Sequence, residues 1–145
     1  MIGGITQSAG TPQSPLIGRS KTLTNNSANS IFTFPLASGE CESVYFFANI
    51  LAKKTTDWAI IFLQLNGIFY NDGSSLQFHV IPGELISDFN NLGAVTLTNT
   101  GDLTASLSGG VVTVKINPGN VGVTPDSIVL KYIVLQPTGK TITFL

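Results

Sequence analysis

One histidine, one cysteine and many serines are the side chains of this 145-residue sequence that could form a nucleophile and its base. His79 stands between Phe78 and Val80 in a segment that alternates like a strand, and it could serve as the general base for a serine or for Cys41. A G-x-S-x-G turn would support a serine hydrolase, and the sequence lacks one. We therefore interpret His79 as a half-exposed strand residue, or as one that is hydrogen-bonded at an interface.

Paired carboxylates are the second chemistry to consider, because a glycosidase works with two acids about 5 to 9.5 Å apart. Glu40 and Glu42 flank Cys41 where a strand is expected to begin, and Glu84 and Asp88 lie in an expected loop. Neither pair is attached to elements that would hold its members at a defined separation. The sequence therefore predicts a protein that is not an enzyme and has no catalytic residues.

Metal and cofactor sites also lack the residues they need. A zinc site requires several cysteine and histidine ligands, and the chain has one of each. Residues 71–73, Asn-Asp-Gly, lack the further alternating oxygen ligands of a calcium loop and are instead typical of a tight hairpin turn. We expect no metal and no cofactor.

Composition restricts the partners of the chain. Charged residues make up 10% of it, and the formal net charge is -1, whereas a typical soluble domain is about 25% charged. The basic residues are scattered, so no nucleic-acid surface is predicted, and no apolar run reaches the roughly 20 residues of a membrane-spanning helix. The single cysteine excludes an intrachain disulfide. Since residues 1–12 also lack a secretion signal, we expect folding in the cytoplasm.

The chain divides into two parts at about residue 28. Residues 1–28 are punctuated by glycine and proline among serine, threonine, glutamine and asparagine, a composition that favours neither helix nor strand. We expect an extended N-terminal arm that docks on neighbouring molecules, with a disordered tail as the alternative. The anchors of such an arm would be its isolated aliphatic residues: Ile2, Ile5, Leu16, Ile17 and Leu23. Residues 29–145 form the expected folded domain.

Alternation of apolar and polar residues predicts that residues 29–145 consist of strands. Turn signals at Asn71–Ser74 and Ser108–Gly110 separate such segments. Residues 83–92 are the one place where a helical turn is plausible, and we interpret them as a long loop before a strand at 94–99. About eight strands predict an all-β fold, an antiparallel two-sheet sandwich of jelly-roll type, with a closed barrel as the alternative. One face of the hairpin at 102–117 is expected to hold Leu103, Ala105, Leu107, Val112, Val114 and Ile116.

Three segments are apolar on both faces, although one face of an antiparallel sheet normally meets water. They are residues 44–51, 58–69 and 128–135. The surplus face implies a further layer, and a second copy of the chain is its economical source; the alternative is the chain's own arm and long loop. Some of the aromatic residues could also stack on sugars. The residues that we assign to an oligomer interface or to the core are Tyr45, Phe47, Trp58, Ile60 and Phe62.

Five segments behind the Gly-, Pro-, Ser- and Thr-rich arm share a layout with a known group of proteins. They are residues 31–34 (IFTF), 42–49 (ESVYFFAN), 57–61 (DWAII), 108–114 (SGGVVTV) and 126–134 (DSIVLKYIV). In layout and composition, residues 29–145 resemble the small β-sandwich structural proteins of tailed-bacteriophage virions. That group includes capsid decoration (cement) proteins, head fibres and some tail proteins.

The resemblance implies a non-enzymatic virion protein that decorates or cements the capsid. It would be a trimer or another small homo-oligomer, with an arm that reaches neighbouring subunits. The implied partners are the major capsid protein or other virion proteins, and neither nucleic acid nor a membrane. A tail or fibre module that binds a receptor or a carbohydrate is the alternative. The protein would fold in the host cytoplasm and then become part of the virion, with the capsid surface as the expected position.

Overall fold

The structure, a computed structural model, describes residues 18–81, 85–90, 102–118, 126–135 and 139–145. The regular elements within these ranges are all β-strands, which confirms the predicted all-β class. In chain order they are β1 (Arg19–Thr22), β2 (Asn29–Pro35), β3 (Cys41–Lys54), β4 (Asp57–Asn71), β5 (Leu76–Ile81), β6 (Leu85–Asn90), β7 (Asp102–Ser108), β8 (Val111–Asn117), β9 (Ser127–Leu135) and β10 (Thr143–Phe144). Over the described ranges, no helix has the length and hydropathy to cross a membrane.

The strands form two antiparallel sheets, as the sequence predicts for a sandwich. The larger sheet has six strands in the order β1-β9-β3-β4-β5, and β6 pairs with β4 as well. Because β3 occupies one edge of β4 over its whole length, β5 and β6 share the other edge, one after the other. The smaller sheet has the order β10-β2-β8-β7. The chain passes from one sheet to the other several times, so the two sheets fold as one unit.

Alternation along the central strands decides which side chains reach the core between the sheets. In β3 the even-numbered residues from Val44 to Ala52 are buried, and the odd-numbered residues from Tyr45 to Lys53 are exposed or half-buried. Strands β8 and β9 alternate in the same way. Each large apolar side chain that this pattern buries contributes about 1.5 to 3 kcal/mol to folding.

Side-chain contacts join the sheets across the core. The rings of Phe34 in β2 and Phe69 in β4 meet edge to face, with centroids 5.1 Å apart. The hydroxyl of Tyr132 in β9 donates a hydrogen bond to the carbonyl oxygen of Ile31 at 3.2 Å. Burial raises the pKa of the Tyr132 hydroxyl, and the charge of Arg19 opposes that rise. The hydroxyl thus stays protonated to a higher pH than usual, and its hydrogen bond ties β9 to β2.

The β7–β8 hairpin forms as its sequence predicts. Gly109 and Gly110 at its tip have φ angles of 56° and 73°, and consecutive left-handed residues are what a type I′ turn requires. The residues predicted to share one face are all buried in the core or packed against it: Leu103, Ala105, Leu107, Val112, Val114 and Ile116.

The segment that we interpret as a long loop contains a strand instead. Residues 85–90 form β6, which pairs with the first half of β4 from Ala59 opposite Asn90 to Leu63 opposite Leu85. The expected loop is therefore wrong over these residues, because a long neighbour with a free edge imposes the strand conformation. The strand expected at 94–99 lies outside the described residues.

The described part of the predicted arm belongs to the sandwich. Strand β1 pairs with β9 over four residues, and the backbone N–H of Leu23 donates to the carbonyl oxygen of Ile128 at 2.9 Å. Leu23 is 5% exposed within the chain's own core. It is thus a core residue rather than a contact to a neighbour, and β1 is part of the sandwich. The remaining predicted arm contacts lie outside the described residues, and their docking stays a prediction: Ile2, Ile5, Leu16 and Ile17.

Strand β1 also connects the two sheets at the side of the sandwich where β1 faces β10. The guanidinium carbon of Arg19 lies 4.4 Å from the centroid of the Phe144 ring, a cation–π contact. The ammonium group of Lys21 donates to the carbonyl oxygen of Leu145 at 3.0 Å. Both contacts link an edge strand of the larger sheet to an edge strand of the smaller one.

A buried amide holds the turn predicted at Asn71–Ser74. Asn71 is 5% exposed, and its Nδ2 donates to the carbonyl oxygen of Leu36 at 2.8 Å. Its Oδ1 accepts from the backbone N–H of Gly73 at 2.9 Å. Gly73 has a φ of 94°, which glycine adopts without steric cost. The turn is thereby tied to the segment that follows β2.

Asp72 makes the same turn sensitive to acid. The backbone N–H groups of Ser74 and Ser75 donate to its Oδ1 at 2.8 and 2.7 Å, and the Ser75 hydroxyl and the Gln77 amide donate to its Oδ2. These hydrogen bonds, that of the Ser74 N–H first, lower the pKa of Asp72 from 3.8 to about 2. Since the folded-state pKa is depressed, the contribution to stability is complete above the unfolded-state pKa and is lost as the pH falls towards 2.

We expect Asp72→Asn to flatten the pH dependence of stability between about pH 4 and pH 2. Urea denaturation at a series of pH values measures the effect. Ser75→Ala removes one donor and should give a curve between those of the wild type and Asp72→Asn. If stability fell with pH in the same way for all three proteins, Asp72 would not be the source of the acid sensitivity.

Candidate assembly surface

The residues considered for nucleophilic chemistry lie on separate strands. His79 is exposed on β5, opposite Ile68 of β4, and Cys41 is exposed at the start of β3. Glu42 is half-buried one residue further along β3. Across the part of the chain that the structure describes, no three His, Cys, Asp or Glu side chains come together as a metal site would require.

Glu40 takes part in a structural contact. Its carboxylate accepts hydrogen bonds from the Lys140 ammonium group and from the backbone N–H of Ala37. The Lys140 bond is the main cause that lowers the pKa of Glu40, followed by the Ala37 bond. Glu84 and the side chain of Asp88 lie outside the described residues. In the carboxylate pair that the structure describes, Glu40 thus stabilises the fold through contacts with residues of the same domain.

The outer face of the larger sheet points away from the core. It carries the apolar residues of the doubly apolar segments that the core does not bury. It is formed by the odd-numbered residues of β3 and β9 and their partners on β4. In this register Tyr45 lies between Leu135 of β9 and Asn66 of β4, and Phe47 lies beside Ile133 of β9. The neighbours come from strands far apart in sequence, so the pairing of the sheet creates this surface.

Four of these side chains form a continuous apolar area, which we name the outer patch: Tyr45, Phe47, Ile133 and Leu135. Tyr45 is 45% exposed, and Phe47 and Leu135 are each 37% exposed, whereas Ile133 is half-buried. Directly opposed residues on neighbouring strands have their Cβ atoms about 5 Å apart. The patch therefore offers two aromatic rings and two aliphatic side chains to one contacting surface.

A polar row borders the outer patch. Lys131 of β9 is paired with Asn49 of β3, one step along the strands from the patch. Beyond this row, Leu51 lies between Val129 and Ile60, and all three side chains are half-buried. On β9 and β3 the outer face thus has two apolar blocks separated by this polar row, and a covering surface has to match that order.

Two of the five predicted interface or core residues, Tyr45 and Phe47, are in the outer patch. Trp58 and Ile60 are half-buried, and the register places them on the same face, opposite Lys53 and Leu51. The backbone of Phe62 belongs to β4, and its side chain lies outside the described residues.

The interface or core residues assigned from the sequence do not include the two patch residues on β9, Ile133 and Leu135. The signal that could have identified them is the apolar character of both faces of residues 128–135, since alternate positions of a strand point to opposite sides of the sheet.

Asn66, next to Tyr45 in the register, carries an acceptor that the fold does not use. Its Oδ1 is buried and accepts no hydrogen bond from the residues that the structure describes. Leaving a buried acceptor unsatisfied costs about 1 to 3 kcal/mol. Proteins break the rule that buried polar atoms are hydrogen-bonded mainly at functional positions. Asn66 is such an exception on the β4 side of the patch.

No protein-family model and no curated protein matches the sequence. Two crystal structures of phage proteins are similar to the chain. The tailspike protein of Acinetobacter baumannii phage AM24 has a TM-score of 0.44 and 11% identity over 87% of this chain and 28% of that one. The tailspike protein of Acinetobacter phage vB_ApiP_P1 has a TM-score of 0.42 and 12% identity over 98% of this chain and 25% of that one. The chain thus spans about a quarter of the length of either tailspike.

Proposed function

We propose that the protein is a non-enzymatic structural component of a bacteriophage virion, and that it assembles through the outer face of its larger sheet. The observation that carries the proposal is the outer patch, in which Tyr45, Phe47 and Leu135 are each at least 37% exposed beside one another. Adjoining exposed apolar side chains mark sites of association, and aromatic residues are enriched at such interfaces. The virion as the setting follows from the resemblance of residues 29–145.

Two features favour a tail or fibre module over a capsid cement. Cementing was expected to depend on arm contacts that include Leu23, and Leu23 lies in the domain's own core. Three exposed aromatic residues, Tyr45, Phe47 and Tyr70, lie on the outer face of one sheet. Such rings present flat apolar surfaces to a receptor, a carbohydrate or a partner protein.

Immunogold electron microscopy of purified virions, with antibodies against residues 18–145, tests the proposal. We expect the label on the tail, and mass spectrometry of the same particles checks that the chain is present. Label on the shell would instead assign the protein to capsid decoration. Particles that contain no trace of the chain would contradict both positions.

A further inference from the structure

We propose that the outer patch is the centre of an interface between copies of this chain. The inference deepens the proposed function and rests on it for the virion setting, because it names the first partner of the assembling face. The geometry that supports it belongs to the folded domain alone. Tyr45 and Phe47 follow one another on the outer side of β3, and Leu135 and Ile133 lie directly beside them on β9.

The size of the outer face fits one protein–protein interface. Its six strands range from 4 to 15 residues, and each residue covers about 3.4 Å along the strand and about 4.8 Å across the sheet. Taken over all six strands, the face measures about 900 Å², which is close to the roughly 800 Å² that each partner contributes to a stable complex. A second sheet of the same dimensions therefore covers this face without leaving much of it in water.

The charge of the chain favours a second copy as the covering surface. The formal net charge is -1, so two copies approach with almost no overall repulsion, and net charge near zero promotes association. A single patch can meet its own copy in a closed, symmetric arrangement. The polar row of Lys131 and Asn49 then restricts the allowed alignments, because an ammonium group covered by the partner's apolar block would lose its hydration without compensation.

The unused acceptor of Asn66 is the second observation at the same place. Its Oδ1 is buried without a donor among the described residues and lies beside Tyr45. Interfaces retain polar groups that fix register in the assembly. Because Asn66 is half-buried as a residue, a rotation of its side chain would expose one of its polar atoms beside Tyr45, where a second copy would supply the missing partner.

The experiment measures self-association of the full chain by sedimentation equilibrium. We expect the native protein to form a dimer or a trimer, and Phe47→Glu to weaken association by about 30-fold or more, as for the loss of an interface hot spot. The matched control is Val111→Glu, because Val111 is 39% exposed, close to the 37% of Phe47, but lies on the smaller sheet. The control should associate like the native chain. Circular dichroism verifies that both variants are folded.

A second measurement needs no substitution. Hydrogen exchange of the native chain is compared at concentrations above and below its dissociation constant, and we expect slower exchange of β3 and β9 in the associated state, with β7 and β8 unchanged. A native chain that is monomeric at about 100 μM, far above a micromolar Kd, would overturn the inference. The inference would also be overturned if Val111→Glu weakened self-association as much as Phe47→Glu. A monomer that is found in virions would overturn the inference and leave the proposed function standing.

Discussion

A chain that begins at Ser30 is expected to lose about 3 kcal/mol or more of folding free energy relative to one that begins at Gly18. The shorter chain lacks Leu23, which is 5% exposed in the core, and it lacks β1, which covers an edge of β9. Burial of a leucine side chain contributes about 1.5 to 3 kcal/mol, and the cavity that its loss creates adds to the cost. Domains have only about 5 to 15 kcal/mol of stability in total.

Urea denaturation of the two shortened chains isolates the contribution of residues 18–29. Leu23→Ala in the full chain is the matched point variant, and it should account for about 2 to 3 kcal/mol of the loss. The result bears directly on assembly, because a defect of the Ser30 chain would then report a damaged domain rather than a missing arm. Equal stability of the two shortened chains would show that β1 is not part of the folded unit.

Gly67→Val is expected to destabilise the domain by about 3 kcal/mol. A Cβ at Gly67 would lie 2.8 Å from Cε2 of the Phe69 ring and 3.5 Å from the Phe78 ring. Phe69 is 1% exposed; its ring stacks on Phe78 at 4.8 Å and meets Phe34 at 5.1 Å. Because these rings hold it on two sides, Phe69 cannot move away, and the backbone of β4 has to shift instead.

Thermal and urea denaturation of Gly67→Val measure this effect. Gly18→Val is the control, since a Cβ at Gly18 has no atom within 4 Å, and it should change stability by less than about 0.5 kcal/mol. Combining Gly67→Val with Phe69→Leu should recover part of the loss, because the smaller side chain leaves room for the new methyl groups. A double variant no better than Gly67→Val alone would mean that the glycine is needed for another reason.

The class of the fold follows from local patterns in the sequence. A period of two along β3, β8 and β9 identifies the buried side of each strand, because neighbouring side chains of a strand point to opposite faces. Turn residues such as Gly73, Gly109 and Gly110 mark the hairpins through their positive φ angles. These signals depend only on residues close in sequence, and this is why the sandwich and the face of the β7–β8 hairpin are confirmed.

Two elements could not be predicted because distant residues determine them. Residues 85–90 have no strand-like alternation, and they form β6 because the first half of β4 offers an unoccupied edge. The polar sequence Arg19–Thr22 forms β1 for a similar reason beside β9. In both cases the backbone hydrogen bonds of a long, apolar neighbour outweigh the weak preference of the segment itself.

The sequence predicts that an apolar assembly surface exists, but not how its side chains are arranged. The two apolar faces of residues 44–51 and 128–135 indicate that some surface remains uncovered by the sandwich. Which side chains adjoin depends on the register of β3 with β9, and a shift by one residue would turn the other face outward. The sequence alone therefore assigns Tyr45 and Phe47 but cannot place Leu135 beside them or Asn49 and Lys131 across the face.

The position of β1 determines how the domain would respond to a mechanical load. β1 runs antiparallel to β9 over four residues, and hydrogen bonds of such a pair are perpendicular to the strands. A pull at Gly18 along the axis of β1 would load these bonds together, in shear, instead of opening them one by one. The force would pass through β9 into β3, the two strands that carry the outer patch. Tension on the N-terminal segment would thus be borne by the centre of the larger sheet.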